Sequence, residues 1–315
     1  MKIVVLDRNA LGVDTPLEGL NRFGEVEVYD GTSPDELIDR VTDADVLVLN
    51  KVKITEQIFA AARSLRLICI FATGFDNVDT AAAKKHGVAV CNVPGYSTDS
   101  VALYTLATVL SLYTHLREYN AYVVSGEYSS SGAPNLLTPV YHEIKGKTWG
   151  IIGLGNIGKA VARVAEDLGA RVIANKRTPD PDYECVDIDT LCKESDIITV
   201  HCPLNDTTRG LIDARRLAMM KKDVLIVNEA RGAVLNESDV ADAIKKGTIG
   251  AFGSDVYSVE PFGIDHSFYE IKDYPNVLLT PHAAWGSYES RLRCINVICD
   301  NIASYLNGER LNRVD

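Results

Sequence analysis

The sequence predicts an α/β protein whose strands form parallel sheets in two units. Three observations carry that expectation. Short apolar, β-branched runs alternate with helix-like stretches over the first 95 residues. A Ser-, Gly- and Pro-rich segment at 125–139 then interrupts the pattern. Past it, a second alternating series opens on a glycine-rich turn. Apolar runs separated by helices mark a parallel sheet covered on both faces.

In the first series, strands are expected at 2–6, 26–29, 46–49, 67–71 and 88–92, with helices at 34–41 and 55–62 between them. Pro94-Gly95 breaks the chain, and 97–117 has helical apolar spacing. Residues 125–139 read as a loop. The second series has strands at 148–153, 171–175, 197–201, 224–228, 250–254 and 276–280, and a helix at 157–168. A last helix spans 287–307 and either caps the second unit or returns to the first.

Composition bounds the function. The 315 residues are 46% apolar and 24% charged, which excludes a disordered chain. The net charge of −11 argues against a protein that coats nucleic-acid phosphates. Seven scattered cysteines without CxxC spacing leave no disulfide framework and no metal pattern. The weakly polar run at 101–116 falls short of a spanning helix, and the N-terminus lacks a signal peptide. A soluble cytoplasmic protein with no membrane partner is expected.

Gly153-Leu154-Gly155-Asn156-Ile157-Gly158 follows a strand and opens a helix, the context a dinucleotide-binding turn requires. Gly153 permits the tight turn, Gly155 admits a pyrophosphate and Gly158 lets helix and strand pack closely. Eighteen residues past Gly158, where NAD sites place an acid on the ribose 2′-OH, stands Lys176, followed by Arg177. Two cations there suit a 2′-phosphate, so NADP is favoured over NAD. Three further strand ends carry polar residues: Asn228-Glu229-Ala230-Arg231-Gly232, Asp255 to Pro261 with Glu260, and Thr280-Pro281-His282 through Trp285. Strand C-termini of an open sheet face the ligand crevice.

These stretches, with ATGFDNVD at 72–79, NVPGYSTDSVA at 92–102 and HCPLNDTTRGLI at 201–212, resemble the D-isomer-specific 2-hydroxyacid dehydrogenases. The likeness spans nearly the whole chain and is nearest to the glycerate dehydrogenase (hydroxypyruvate reductase) branch. It implies a flavodoxin-like substrate domain, residues 1–97 plus a return helix in 286–315, around a Rossmann-like dinucleotide domain at 98–285. The active site would lie in an interdomain cleft.

The resemblance also implies roles. His282 would protonate the substrate carbonyl oxygen, Glu260 would hold that imidazole and favour its charged form, and Arg231 would bind the substrate carboxylate. Thr73, Gly74 and Phe75 would offer backbone N–H groups to the same carboxylate, with Lys51 and Trp285 near the substrate. Asp255 would bond the nicotinamide amide, and Cys202-Pro203 would lie against the adenosine. Val101, Thr208, Glu229 and Ala230 complete the expected cofactor contacts. Two residues depart from the family pattern. Lys176 replaces the usual Asp, and Glu229 replaces a small residue, where it either perturbs Arg231 or points to solvent. With 33 residues after His282, the regulatory tail of long phosphoglycerate dehydrogenases is not expected.

The expected activity is NAD(P)H-dependent reduction of a 2-oxo acid to a D-2-hydroxy acid, with hydroxypyruvate or glyoxylate leading, giving D-glycerate or glycolate. The partners expected are that small acid and a second copy of the chain in a homodimer. The alternatives are phosphite-type oxidation on the same scaffold and a dinucleotide-sensing binding module without catalysis.

Overall fold

The computed structural model describes residues 1–315, and the chain divides into two compact units. One contains residues 1–97 and 286–315, the other residues 98–285. Each is built on its own all-parallel sheet.

In the first unit the strands are β1 (Lys2–Val5), β2 (Glu25–Val28), β3 (Val46–Leu49), β4 (Leu67–Ile70) and β5 (Ala89–Cys91). Their spatial order is β2-β1-β3-β4-β5, the flavodoxin-like order, with its switch point between β1 and β3. Every residue of β3 and β4 is buried, as strands covered on both faces require. The crossover helices are α1 (Pro34–Val41), α2 (Glu56–Ala61) and α3 (Thr80–Lys85). A reciprocal Ser33–Glu36 capping box and Pro34 start α1, and the Asp79 side chain accepts the Ala82 N–H to start α3.

The second unit opens with α4 (Thr98–Tyr113), α5 (Leu116–Val124) and α6 (Glu127–Ser131). The single helix expected over 97–117 is therefore two, because His115 takes a left-handed conformation (φ 53°) between them. The loop expected at 125–139 contains one short helix between left-handed Gly126 and Gly132.

There follow β6 (Thr148–Ile152), α7 (Asn156–Asp167), β7 (Arg171–Asn175), β8 (Glu184–Cys185), α8 (Ile188–Glu194), β9 (Ile197–Val200), α9 (Ala214–Leu217), β10 (Leu225–Asn228), α10 (Glu237–Lys245), β11 (Ala251–Ser254) and β12 (Val277–Leu279). The order β12-β11-β10-β9-β6-β7-β8 reverses between β6 and β9, a doubly wound sheet. Here β8 is an unexpected edge strand of two residues. Trp149 is fully buried between this sheet and its helices, and its indole N–H donates to Thr199 Oγ1 at 3.2 Å.

The last helix, α11 (Tyr288–Leu306), belongs to the first unit and buries Ile295, Ile298 and Ile302. The tail behind it runs beside β5, where Val314 N–H donates to Val90 O and Asp315 Oδ1 accepts the Val90 N–H. No helix is long and apolar enough to cross a membrane.

Candidate active site

At the switch point of the second sheet, Gly153 has φ +95°, and a Cβ on it would lie 2.5 Å from Cys202 N. A Cβ on Gly158 would lie 2.2 Å from Gly153 O, so both positions admit only glycine. Nothing stands within 4 Å of where a Gly155 side chain would begin. Behind that open space, the N–H groups of Asn156, Ile157 and Gly158 at the start of α7 have no acceptor in the chain. Unpaired donors on a helix N-terminus beside a cleared surface fit a pyrophosphate. Cys202 and Pro203 follow β9 directly beside this turn. Thr208 Oγ1 donates to Pro203 O at 2.7 Å and accepts the Asn205 N–H at 2.8 Å, fixing the loop after them.

The end of β7 separates the two expected cations. Lys176 Nζ lies 3.1 Å from Asp180 Oδ2, and Lys159 Nζ on α7 lies 2.8 Å from the same oxygen. The two ammonium groups hold the Asp180 carboxyl at about 2, below the usual carboxylate range. The Arg177 guanidinium makes no ion pair and no hydrogen bond.

Three neighbouring strand ends carry the second cluster. After β10, Asn228 Nδ2 donates to Arg231 O at 3.0 Å, Asn228 Oδ1 accepts the Ala230 N–H, and Arg231 Nη1 donates to Ala230 O at 2.8 Å. After β11, Asp255 is buried and its carboxylate reaches across to the segment after β12. Oδ1 accepts from Thr280 Oγ1 at 2.6 Å and from Ala283 N at 2.9 Å, while Oδ2 accepts from Ala284 N at 2.8 Å. Tyr257 adds a bond from its hydroxyl to Thr280 O. These contacts hold His282 in a left-handed conformation (φ 55°), a strained choice for a non-glycine residue.

His282 Nδ1 meets Glu260 Oε2 at 2.6 Å, and Glu260 Oε1 accepts the Tyr257 N–H. A carboxylate only accepts, so Nδ1 carries the hydrogen and Nε2 is the nitrogen that gains or loses a proton. Both side chains are about a quarter exposed, 23% for His282 and 26% for Glu260. Val101 is buried in the first turn of α4, where Ser100 Oγ donates to Ala284 O. Trp285 is half-buried as the last residue of this unit.

Glu229 corrects the expectation. It neither points to solvent nor touches Arg231, being 8% exposed with Oε1 3.4 Å from Thr108 Oγ1 on α4. Its Oε2 has no partner, and burial, with Asp255 nearby, pushes the carboxyl well above the usual range. In the adjacent strand, both ring nitrogens of His201 are likewise buried without partners, and burial lowers its pKa to about 3.

The first unit holds its expected residues at one edge of its own sheet. Lys51 follows β3, and Thr73, Gly74 and Phe75 follow the neighbouring β4. The N–H groups of those three residues have no acceptor in the chain. Sequence reading missed Asp7, whose buried carboxylate accepts the N–H groups of Asn50, Lys51 and Val52 and so shapes the turn that carries Lys51. Burial raises its pKa despite those donors. Its signal was an acid at the end of the first strand, a switch-point position.

Comparisons place this geometry among known proteins. A model of the D-isomer specific 2-hydroxyacid dehydrogenase NAD binding domain matches residues 106–284. The chain is 36% identical to a hydroxypyruvate reductase of Blautia hydrogenotrophica, with the whole of both chains covered. It is 34% identical to a glycerate dehydrogenase of Methylorubrum extorquens, covering 100% of this chain and 99% of the other. The crystal structure of the TT0316 protein from Thermus thermophilus superposes with a TM-score of 0.90 at 32% identity over 100% of both chains.

Proposed function

The chain belongs to the D-isomer-specific 2-hydroxyacid dehydrogenase family, and from that premise we propose that it reduces hydroxypyruvate or glyoxylate to D-glycerate or glycolate. A nicotinamide dinucleotide is its cofactor class, and NADPH is the form we propose, from Lys176 and Arg177 beside the glycine turn. The observation that carries the reading is the 2.6 Å Glu260–His282 contact, on the same sheet as that turn. Reduced nicotinamide, when bound, supplies the hydride.

The chain's residues do the rest. Arg231 binds the substrate carboxylate through its forked donors. In the other unit, the N–H groups of Thr73, Gly74 and Phe75 have no acceptor in the chain and suit a carboxylate. His282 delivers the proton from Nε2 to the carbonyl oxygen, and Glu260 stabilises the ring before transfer and fixes its tautomer. In the reverse direction His282 takes the proton back. Asp255 holds the segment that presents His282. Exposed Leu103, Leu110, Leu116, Val124 and Leu137 on and after α4 and α5 support a homodimer through this unit.

The test follows the near-ultraviolet absorbance of reduced cofactor with a panel of 2-oxo acids, run with NADH and with NADPH. Faster consumption with hydroxypyruvate or glyoxylate and NADPH is expected. No consumption with any acid favours a binding module, and cofactor reduction by phosphite alone favours the other scaffold chemistry. Either result sinks the proposal.

A further inference from the structure

The two cations at the end of β7 are not equivalent. Lys176 is 33% exposed at its side chain and points its ammonium at Asp180, whose side chain is only 6% exposed. The same carboxylate oxygen also takes Lys159 from α7. Asp180 is built into its loop: its backbone N–H donates to Cys185 Sγ at 3.3 Å and its carbonyl accepts the Tyr183 N–H. Its other carboxylate oxygen accepts the Asp182 N–H at 3.4 Å. Two ammonium groups on one anchored carboxylate keep a single net positive charge between them. Arg177, the next residue, keeps its whole charge and all of its donors uncommitted.

We propose that Asp180 is a specificity-determining residue of the cofactor site: it ties Lys176 to Lys159 and leaves Arg177 as the cation that distinguishes a dinucleotide carrying a 2′-phosphate from one without it. This deepens the NADPH reading and rests on it. A bound carboxylate already occupies the Lys176 ammonium, so an arriving phosphate would compete with Asp180 for it. The guanidinium meets no such competitor and offers two parallel donors to phosphate oxygens. Asp180 thus restrains the preference for 2′-phosphate that the sequence pair Lys176-Arg177 suggests.

The experiment measures binding of adenosine 2′,5′-bisphosphate and of 5′-AMP by calorimetry on the full chain. Arg177→Ala should weaken the bisphosphate by about 10- to 100-fold, as expected for a hydrogen-bonded charged contact, and leave 5′-AMP within about threefold. Lys176→Ala should weaken the bisphosphate by no more than about threefold, its ammonium being already hydrogen-bonded to Asp180 and its charge partly offset there. Asp180→Asn should strengthen the bisphosphate several-fold without strengthening 5′-AMP, and adding Lys159→Ala and Lys176→Ala should abolish the gain. Asp180→Glu should behave as the parent chain.

Equal losses from Lys176→Ala and Arg177→Ala overturn the proposal, as does an Asp180→Asn variant that strengthens both ligands alike or neither. Should the loop collapse without Asp180, both ligands would weaken together, and the Lys176 and Arg177 variants alone then decide. A parent chain that binds the two ligands equally sinks the NADPH reading instead. Asp180 would still stand or fall on the response of its Asn variant.

Discussion

Two sets of glutamate and histidine sit at neighbouring strand ends of one sheet, and they behave in opposite ways. Glu260 and His282 touch at 2.6 Å with about a quarter of each side chain in solvent. Glu229 and His201, at the ends of β10 and β9, have their polar atoms buried, and neither His201 ring nitrogen nor Glu229 Oε2 has a partner. The β9–β10 ladder pairs Val200 with Asn228, so His201 and Glu229 occupy the next row. The residue types are the same, and contact and water make the difference. In the first set the carboxylate meets the ring directly, and about a quarter of each side chain is in solvent. In the second, desolvation penalises both charged forms, so burial raises the acid and lowers the base until each is neutral.

Breaking the touching pair has the largest expected effect. On the proposed function, His282→Ala removes the proton donor, and turnover should fall by about 100- to 10,000-fold, while fluorescence titration shows cofactor bound as tightly as before. Turnover at the parent rate would remove His282 from the chemistry. Glu260→Gln keeps the shape but loses the charge-assisted hydrogen bond, and kcat/KM should fall by about 10- to 100-fold. A loss as large as that of His282→Ala would mean that Glu260 does more than orient the ring.

This contrast was only half legible in the sequence. The parallel α/β class, the glycine turn and the polar strand ends followed from alternating apolar runs and local motifs. The contact between Glu260 and His282 came only as an implication of the family resemblance, because 22 residues separate them and the pairing of β11 with β12 is what brings their loops together. Glu229 was visible as an oddity, yet its depth depends on Thr108 and α4 packing over the strand end, a tertiary fact. The left-handed His115 that splits the long apolar helix and the two-residue β8 leave almost no local signature. Asp7 showed only as an acid after a strand, and its three backbone bonds come from a loop more than 40 residues away.

The buried set can be separated from the touching one by pH. An acid whose folded pKa is raised contributes full stability below its unfolded pKa of about 4.3, and loses it as pH rises towards the folded value. Glu229→Gln, which cannot ionise, should therefore match the parent near pH 4 and become increasingly more stable above it. The gain is at most about 1.4 kcal/mol per pH unit crossed, read as a few degrees in Tm. A difference in Tm that stays flat between pH 5 and pH 8 would show that the buried carboxyl has found a partner.

His201 has the opposite sign and the smallest effect at neutral pH. A base whose folded pKa is lowered gives stability that is complete above its unfolded value of about 6.5. That stability drains away as pH falls towards its folded value of about 3. At pH 7.5 the ring is neutral in both states, so His201→Gln should change stability only through packing, by about 1 kcal/mol or less. Between pH 6.5 and pH 4 the parent must leave its buried imidazole uncharged while the unfolded chain gains a proton. The Gln variant escapes that penalty, so its acid unfolding midpoint should move to lower pH. Glu229→Gln should not move it in the same direction, because the Glu229 carboxyl favours the folded state on acidification. If both variants shifted the acid midpoint alike, the two groups would be titrating as one hydrogen-bonded pair, and the distinction from Glu260 and His282 would reduce to depth alone.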